Sequence, residues 1–537
     1  MAKKNVKKEE EEVGRAGRLY GRLEDDRFPF LDRAREASKY TIPTLIPPSG
    51  HSNATKYYTP YQGVGARGVN NLASKLLLAL LPPNSPFFRL QIDDYTLEEL
   101  TKQEGMRAKV EEGLNRIERA VQSEIEAGAI RVSGFEAMKH LLVSGNALLF
   151  TPDEGGMRIF PLEKYVVRRD PMGIVLDIVV KETVSPATLP KDVRELIGYD
   201  DENSEYDNDD TNDKTCNIYT HVYWEDKQWQ TYQEIKGKTI PGSEGTYPKD
   251  KSPWIPVRFT KIDGENYGRG YVEEYLGDII SLEGLSKAIV EGSAAAAKVL
   301  FLVNPNGSTS QKTLSSSDNG AIVEGIATDV SVLQLGKFND FRVALETITT
   351  INERLSYAFL LNSAVQRNGE RVTAEEIRYM AGELEAALGG IYSILSQEMQ
   401  LPLVNRVMFA MERKKKLPVL PKGTVKPVIV TGMEALGRGN DMNKLAQFFK
   451  AAAEVAQLPP EINKDDALKR LGTSLGIDMK GLVKDPQQLQ AEMQQAQQMA
   501  MMQQAMGPAI NQGGQLLKQG MANQAQAAQQ EQGAPGG

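Results

Sequence analysis

Two apolar stripes separated by eleven polar-rich residues constrain this chain more than any other feature. From 339 to 361, Phe341, Ala344, Leu345, Ile348, Ile351, Leu355, Ala358 and Phe359 recur close to a 3.6-residue period. At 1.5 Å per residue this predicts a helix roughly 34 Å long. A second stripe, Ile377, Met380, Ala381, Leu384, Ala387, Leu388, Ile391, Ile394 and Leu395, predicts another of about seven turns. Thr373 and Glu376 have the T-x-x-E spacing of a capping box, in which each side chain satisfies the other's free backbone N–H, so the second helix starts at Thr373. Gly389 and Gly390 interrupt it and predict a bend. Pro402 allows only a kinked continuation.

What lies between the stripes, residues 362–372, carries Gln366, Arg367, Asn368, Glu370 and Arg371. The ordinary reading is a solvated connection. The sharper one is a loop held at a fixed place by two rigid supports, with few residues to anchor it by burial, projecting where charge matters.

The rest of the chain is read around this pair. Residues 1–14 form a charged lead, and Val13 to Lys39 mixes charges with sparse apolar residues, as on an exposed helix. Val69, Leu72, Leu76 and Leu80 predict a helix ended by Pro82 and Pro83. Residues 104–127 and 133–150 read as two more helices. From 148 to 262 the pattern changes to seven short β-branched and aromatic runs divided by turn signals, an antiparallel β-rich insert. Within it, Asp200 to Asp213 holds eight acidic residues and no basic one, without the glycine and closing glutamate of a calcium loop.

Helices return at 270–298, whose end is crowded with small residues (Gly292, Ser293, Ala294 to Ala297) and suits close packing against a neighbour. Short strands, "LFLV", "GAIVEG" and "VSVLQL", then surround a Ser/Asn-rich loop in 299–338, a small mixed unit between helices. Beyond 436, helices resume at 440–457 and 464–475, and a Gln/Ala/Met-rich tail runs from 486 to 537. The fold class is mainly α with an antiparallel β-rich insert (α+β).

Composition narrows the function. The formal charge of −8 argues against a protein that coats nucleic acid by bulk attraction. One cysteine, Cys216, excludes an intrachain disulfide and a zinc site built on thiolates. The three histidines, His51, His140 and His221, have no metal-ligand spacing. The lead lacks the apolar core of a signal peptide, and "LLLALL" at 76–81 is too short for a membrane span. These features predict a soluble protein made inside the cell.

No phosphate-binding glycine loop or nucleophile elbow occurs. "GENYGRG" at 264–270 lacks the strand–glycine–helix context of a nucleotide site. Asp93 and Asp94 have no further acids placed to make a nuclease centre, so a turn is the better reading. The chain is not expected to be an enzyme, and neither cofactor nor metal is expected.

"TPYQGVGARGVNNLASKLLLALLPP", "DGENYGRGYVEEYLGDIISLE", "LNSAVQRNGERVTAEEIRYMAGELEAALGGIYSILSQEMQLPLV" and "TGMEALGRG" closely resemble the portal, or head-to-tail connector, proteins of short-tailed double-stranded DNA bacteriophages of the coliphage-like group. The resemblance spans roughly 15–480 in one collinear run. It implies a ring, usually of twelve subunits, at one capsid vertex. It also implies a wing (15–269 with 373–436), stem helices (270–298 and 339–361), a clip (299–338), a tunnel loop (362–372) and a crown (437–485).

The implied partners are double-stranded DNA in the channel, the large terminase subunit, a tail adaptor, and capsid, scaffold and internal core proteins, without a membrane. The implied location is the virion after assembly in host cytoplasm. Twelve copies at −8 each carry −96, a mostly repulsive conduit in which sparse positive rings centre DNA without trapping it. Arg367 is the first candidate for such a ring. The competing reading is another oligomeric virion protein, such as a tail adaptor ring.

Overall fold

The computed structural model describes residues 13–52, 54–83, 87–92, 106–199, 215–296, 300–318, 320–333, 338–361, 388–417, 425–429 and 448–451. The chain divides into two units, 1–436 and 437–537. In the second, residues 448–451 are helical. The acidic stretch 200–213, Asp93 and Asp94, the remaining crown residues and the tail lie outside the described residues.

The first unit opens with α1 (Arg15–Tyr40), α2 (Val64–Leu80), β1 (Phe88–Ile92), α3 (Met106–Ala127) and α4 (Ile130–Ser144). The predicted α2 stripe is buried throughout, with Val69, Leu72, Ala73, Leu76, Ala79 and Leu80 all in the main core. α1 is not the exposed helix its charges predict. Tyr20, Leu23, Leu31 and Ala34 are buried, and so is Arg27. The Arg27 guanidinium donates to the carbonyls of Leu162, Glu163 and Tyr165 and to the Tyr20 hydroxyl. Carbonyl acceptors thus let a cation sit where the pattern predicts solvent.

Helix α4 stops at Ser144, six residues short of the predicted end. Gly145 takes φ +72, and a Cβ there would collide with the backbone of Arg269 and Gly270. The next five residues are β2 (Asn146–Phe150). Asn146 ties this corner to Gly268, donating Nδ2 to its carbonyl and accepting its N–H, both at 2.8 Å. Gly268 and Gly270 of "GENYGRG" serve this close approach: a Cβ on Gly268 would press on the carbonyls of Thr260 and Gly145, and one on Gly270 on those of Val143 and Leu142.

All seven strand runs expected in the β-rich region are present, and every pairing is antiparallel. Strands β2, β3 (Arg158–Phe160) and β10 (Trp254–Arg258) form one sheet in the order β10-β2-β3. A larger sheet runs through β4 (Tyr165–Arg169), β5 (Val175–Val184), β6 (Cys216–Glu225), β7 (Gln228–Ile235) and β8 (Lys238–Thr239). There β9 (Gly245–Pro248) also pairs with β7. The period-two alternation divides its faces: Val166 and Val179 meet Ala16, Tyr20 and Leu23 of α1, whereas Val167, Ile178 and Val180 join the main core.

Helix α5 (Lys191–Ile197) precedes β6 in sequence. The chain then forms α6 (Tyr271–Ala296), β11 (Leu300–Val303), α7 (Gln311–Ser315), β12 (Val330–Leu333) and α8 (Phe338–Ala358). β11 and β12 pair antiparallel, but "GAIVEG" is irregular rather than a strand. There the chain is organised by Asp329, whose carboxylate accepts the N–H groups of Ser308 and Thr309 and the Thr309 hydroxyl. At the small-residue end of α6, Gly292 lies against Phe341 of α8, and Ser293, Ala294 and Ala295 are exposed. The α8 stripe is inward at Ile351, Leu355 and Phe359, whereas Leu345 faces out.

Past residue 387 the chain is helical through α9 (Ile391–Leu395), a π-helical stretch (Ser396–Gln400) and α10 (Leu401–Arg413). The wide π turn falls directly before Pro402, which has no N–H for the ordinary ladder. Finally β13 (Val425–Ile429) pairs antiparallel with β1, a pairing the sequence reading does not contain.

Candidate functional site

The residues proposed for the loop and its cap, Gln366, Arg367, Asn368, Glu370, Arg371, Thr373 and Glu376, lie outside the described residues. The structure describes both ends of the segment that holds them, and each end is fixed by α2.

At the departing end, α8 closes in a Schellman motif: Leu361 N–H donates to Ser356 O at 2.8 Å and Leu360 N–H to Tyr357 O at 3.1 Å. The left-handed position of that motif usually belongs to glycine, yet Leu360 occupies it at φ +53. Surrounding donors hold the strained turn. Asn71 Nδ2 donates to the carbonyls of Phe359 and Leu360 at 2.9 and 3.1 Å. Lys75 Nζ donates to Leu360 O at 2.8 Å, and the Tyr271 hydroxyl to Ala358 O at 2.9 Å. Three terminal carbonyls of α8 are thereby satisfied, and a buried ammonium sits at the negative end of the helix dipole. Phe359 packs edge-on to Tyr271, centroids 5.7 Å apart, and lies so close to Gly68 that any side chain there would displace it.

At the returning end the roles reverse, and α2 supplies the acceptors. Tyr392 donates its hydroxyl to Ala79 O at 2.8 Å, and Gln400 its amide to Leu80 O at 2.6 Å. Gly389 has φ +52 and Gly390 has φ −64, and a Cβ on either would meet nothing within 4 Å. The helical run is broken at this pair, and backbone conformation rather than crowding selects glycine at 389.

The π stretch turns Glu398 onto β10. Its carboxylate accepts from the Arg258 backbone N–H at 3.0 Å and from Arg258 Nη2 at 2.5 Å. Arg258 is 2% exposed. Nearby Arg169 has no carboxylate of its own and donates to the carbonyls of Asn266, Gly173 and Pro256. Burial, with the Arg258 charge adding to it, pushes Arg169 down to about 10. In α10, Arg406 donates to Thr151 O and pairs with Asp153, which Arg413 also reaches at 2.6 Å.

Sequence reading misses this clamp. Lys75 has a visible signal, a cation inside the apolar run "ASKLLLALL", whereas the partners of Tyr392 and Gln400 lie more than 300 residues away. A second feature is bare apolar surface on the α6–α8 pair: Val290, Val343 and Leu345 are more than half exposed and Tyr357 is 80% exposed. Among the described residues, no helix is long and apolar enough to cross a membrane, and no group of three or more His, Cys, Asp or Glu is placed to hold a metal.

The described residues comprise a long helix pair with bare apolar flanks, a helix α2 that holds residues 359–360 and 392–400, and a β-rich lobe. The chain belongs to the bacteriophage head-to-tail connecting protein family, which it matches over residues 14–483. It is similar to the portal protein of Escherichia phage T7, 45% identical over 519 residues covering 95% of this chain and 94% of that one. The portal protein of Enterobacteria phage T3 is 46% identical over 484 residues, 89% of each chain. That of Enterobacteria phage SP6 is 29% identical over 503 residues, 92% of this chain and 95% of the other. A chain from a solved virion of a native gene transfer agent particle superposes with a TM-score of 0.35 at 11% identity, covering 77% of this chain and 90% of that one, too loosely to support an argument.

Proposed function

We propose that this chain is the subunit of a phage portal, a ring at one capsid vertex through which double-stranded DNA enters during packaging and leaves at ejection. Membership of the head-to-tail connecting family supports the role. The observation that carries the assembly is the exposed apolar flank of the α6–α8 pair, above all Tyr357, which a single chain leaves in water. A closed ring buries one such flank against the next subunit's other flank and leaves none bare.

In this reading 270–298 and 339–361 are the stem, 299–338 the clip, 362–372 the tunnel loop and 437–485 the crown. The wing comprises 15–269 with 373–436. The clip faces the terminase motor and afterwards a tail adaptor, with capsid, scaffold and internal core proteins around the wing and crown. Arg367 lines the narrowest part of the channel, and Gly389 and Gly390 are the hinge of the wing helix. The virion is the site of action, after assembly in host cytoplasm.

Cryo-microscopy of the purified protein tests the proposal. A ring of about twelve subunits, with a channel as wide as duplex DNA and α6–α8 flanks buried between subunits, is the expected result. A monodisperse monomer at micromolar concentration overturns it.

A further inference from the structure

The connection from α1 to α2 carries no acid. Between Glu36 and Asp93 the sequence has neither aspartate nor glutamate, although the chain holds 71 of them, yet it includes Lys39, Lys56 and Arg67. All three cations are exposed, and no carboxylate among the described residues pairs with them. Three tyrosines of the connection are also exposed, Tyr57 and Tyr58 at 37% and Tyr61 at 45%. Lys39 Nζ stands 5.2 Å from the ring centre of Tyr58.

Glu283 fastens this connection to α6. Its buried carboxylate accepts the Tyr58 hydroxyl at 2.5 Å and the N–H groups of Tyr61 and Gln62 at 2.9 and 3.2 Å. Two contacts show where α8 lies on the same helix: Asp278 meets Arg354 at 2.7 Å, and Gly292 lies against Phe341. At 3.6 residues per turn, Glu283 is about 140° round α6 from Asp278 and about 180° from Gly292. The connection therefore covers the side of α6 opposite α8. Lying between those two contacts, Glu283 comes level with Thr349 and Thr350 of α8.

The outer face of α8 at that level has the complementary character. Glu353 lies about 160° round the helix from the buried Ile351 and Leu355. It is exposed, and no cation among the described residues pairs with it. Tyr357, one turn further on, adds bare aromatic surface to the same flank.

We propose that the 54–62 connection, with Lys39 at its start and Arg67 at its end, docks on the outer face of α8 in a second copy of this chain. Lys56 is set against Glu353, and the tyrosines cover Tyr357. The inference rests on the ring reading and supplies the two unlike faces that a head-to-tail contact needs. Each subunit presents one face on either side of its helix pair, so the contact repeats around the ring. Tyrosines beside unpaired cations also suit a phosphate backbone, but the complementary face at the same height favours a second copy.

Disulfide trapping in the full chain tests the contact. Tyr57→Cys with Glu353→Cys places one thiol on each face, and the native Cys216 is buried. Mild oxidation should give a ladder of covalent multimers on denaturing gels, whereas either single variant should give dimers at most. Glu353→Lys should raise the concentration for half-assembly about tenfold, and adding Lys56→Glu should restore it. Native mass spectrometry reads the ring independently. Rings that form without a ladder overturn this contact and leave the ring reading standing, whereas a chain that stays monomeric overturns both. Lys56→Glu rings that assemble normally but lose duplex DNA binding assign the face to DNA and also overturn the contact.

Discussion

Lys75 Nζ lies 2.8 Å from the carbonyl oxygen of Leu360, inside the core and 285 residues further along the chain. A lysine is normally kept at the surface by the cost of desolvating its charge. Here the acceptor is a strained helix end, and the charge stabilises the residue that bears the strain. Lys75→Met keeps the volume and removes the charge. It should lower stability by about 1–2 kcal/mol, read from urea denaturation. A double-mutant cycle with Asn71→Ala should show strong coupling, since both donors serve the same carbonyl.

The two adjacent glycines should behave oppositely. At Gly389, φ +52 with open space around the position means that alanine is penalised by backbone conformation alone. Gly389→Ala should cost about 1 kcal/mol, whereas Gly390→Ala, at an ordinary helical φ, should be neutral or slightly stabilising. Parallel melting curves distinguish them. Equal losses would show that crowding, not conformation, selects the pair.

Glu398→Gln should be among the most damaging single changes, at about 3–5 kcal/mol, because Arg258 is left buried beside Arg169 with no counter-charge. Replacing both partners, Arg258→Met with Glu398→Leu, should lose less than Glu398→Gln alone. Chemical denaturation of the three variants measures the difference.

His140 is buried and held neutral, with desolvation pushing it down to about 4 and the Lys139 charge adding to the shift. Glu136, 3.9 Å from Nε2, is too distant to hold the proton in place. The unfolded chain binds that proton near pH 6.5 and the folded chain only near 4. Stability is therefore full above about pH 6.5 and falls as pH drops toward 4, by about 3 kcal/mol. Denaturation midpoints between pH 7 and 4 should be flatter in His140→Gln than in the parent.

Arg367→Ala should leave assembly intact and change the length or retention of packaged DNA. Particle counts with genome sizing by pulsed-field gels check both halves. Normal packaging and retention would remove Arg367 from the proposed channel lining.

Periodicity makes some of this architecture visible in advance. Leu72, Leu76 and Leu80 mark α2, Ile351 and Leu355 mark α8, and the strand runs declare themselves by β-branched and aromatic residues. The failures have physical causes. The apolar run through Leu141, Leu142 and Leu148 is equally consistent with a buried helix and a buried strand, so only Gly145 and its close backbone neighbours reveal where one ends. Arg27 looks solvent-facing because a sequence does not display the three carbonyls that receive it. The π turn leaves no trace in a 3.6 period. At the candidate site, the glycine pair is readable, but which member is left-handed is not, and Tyr392 shows no sign of its bond to α2.

Asn71 and Lys75 grip the chain where it leaves α8, and Ala79 and Leu80 receive it where it returns. About 12 Å of continuous helix, from Asn71 to Ala79, separates the two grips. A pull on Leu360 is therefore a load on Tyr392, carried by one strut rather than by the chain between them. Leu360 and Tyr392 are thus held a fixed span apart by α2, so a helix-breaking change between Asn71 and Ala79 should disturb both at once.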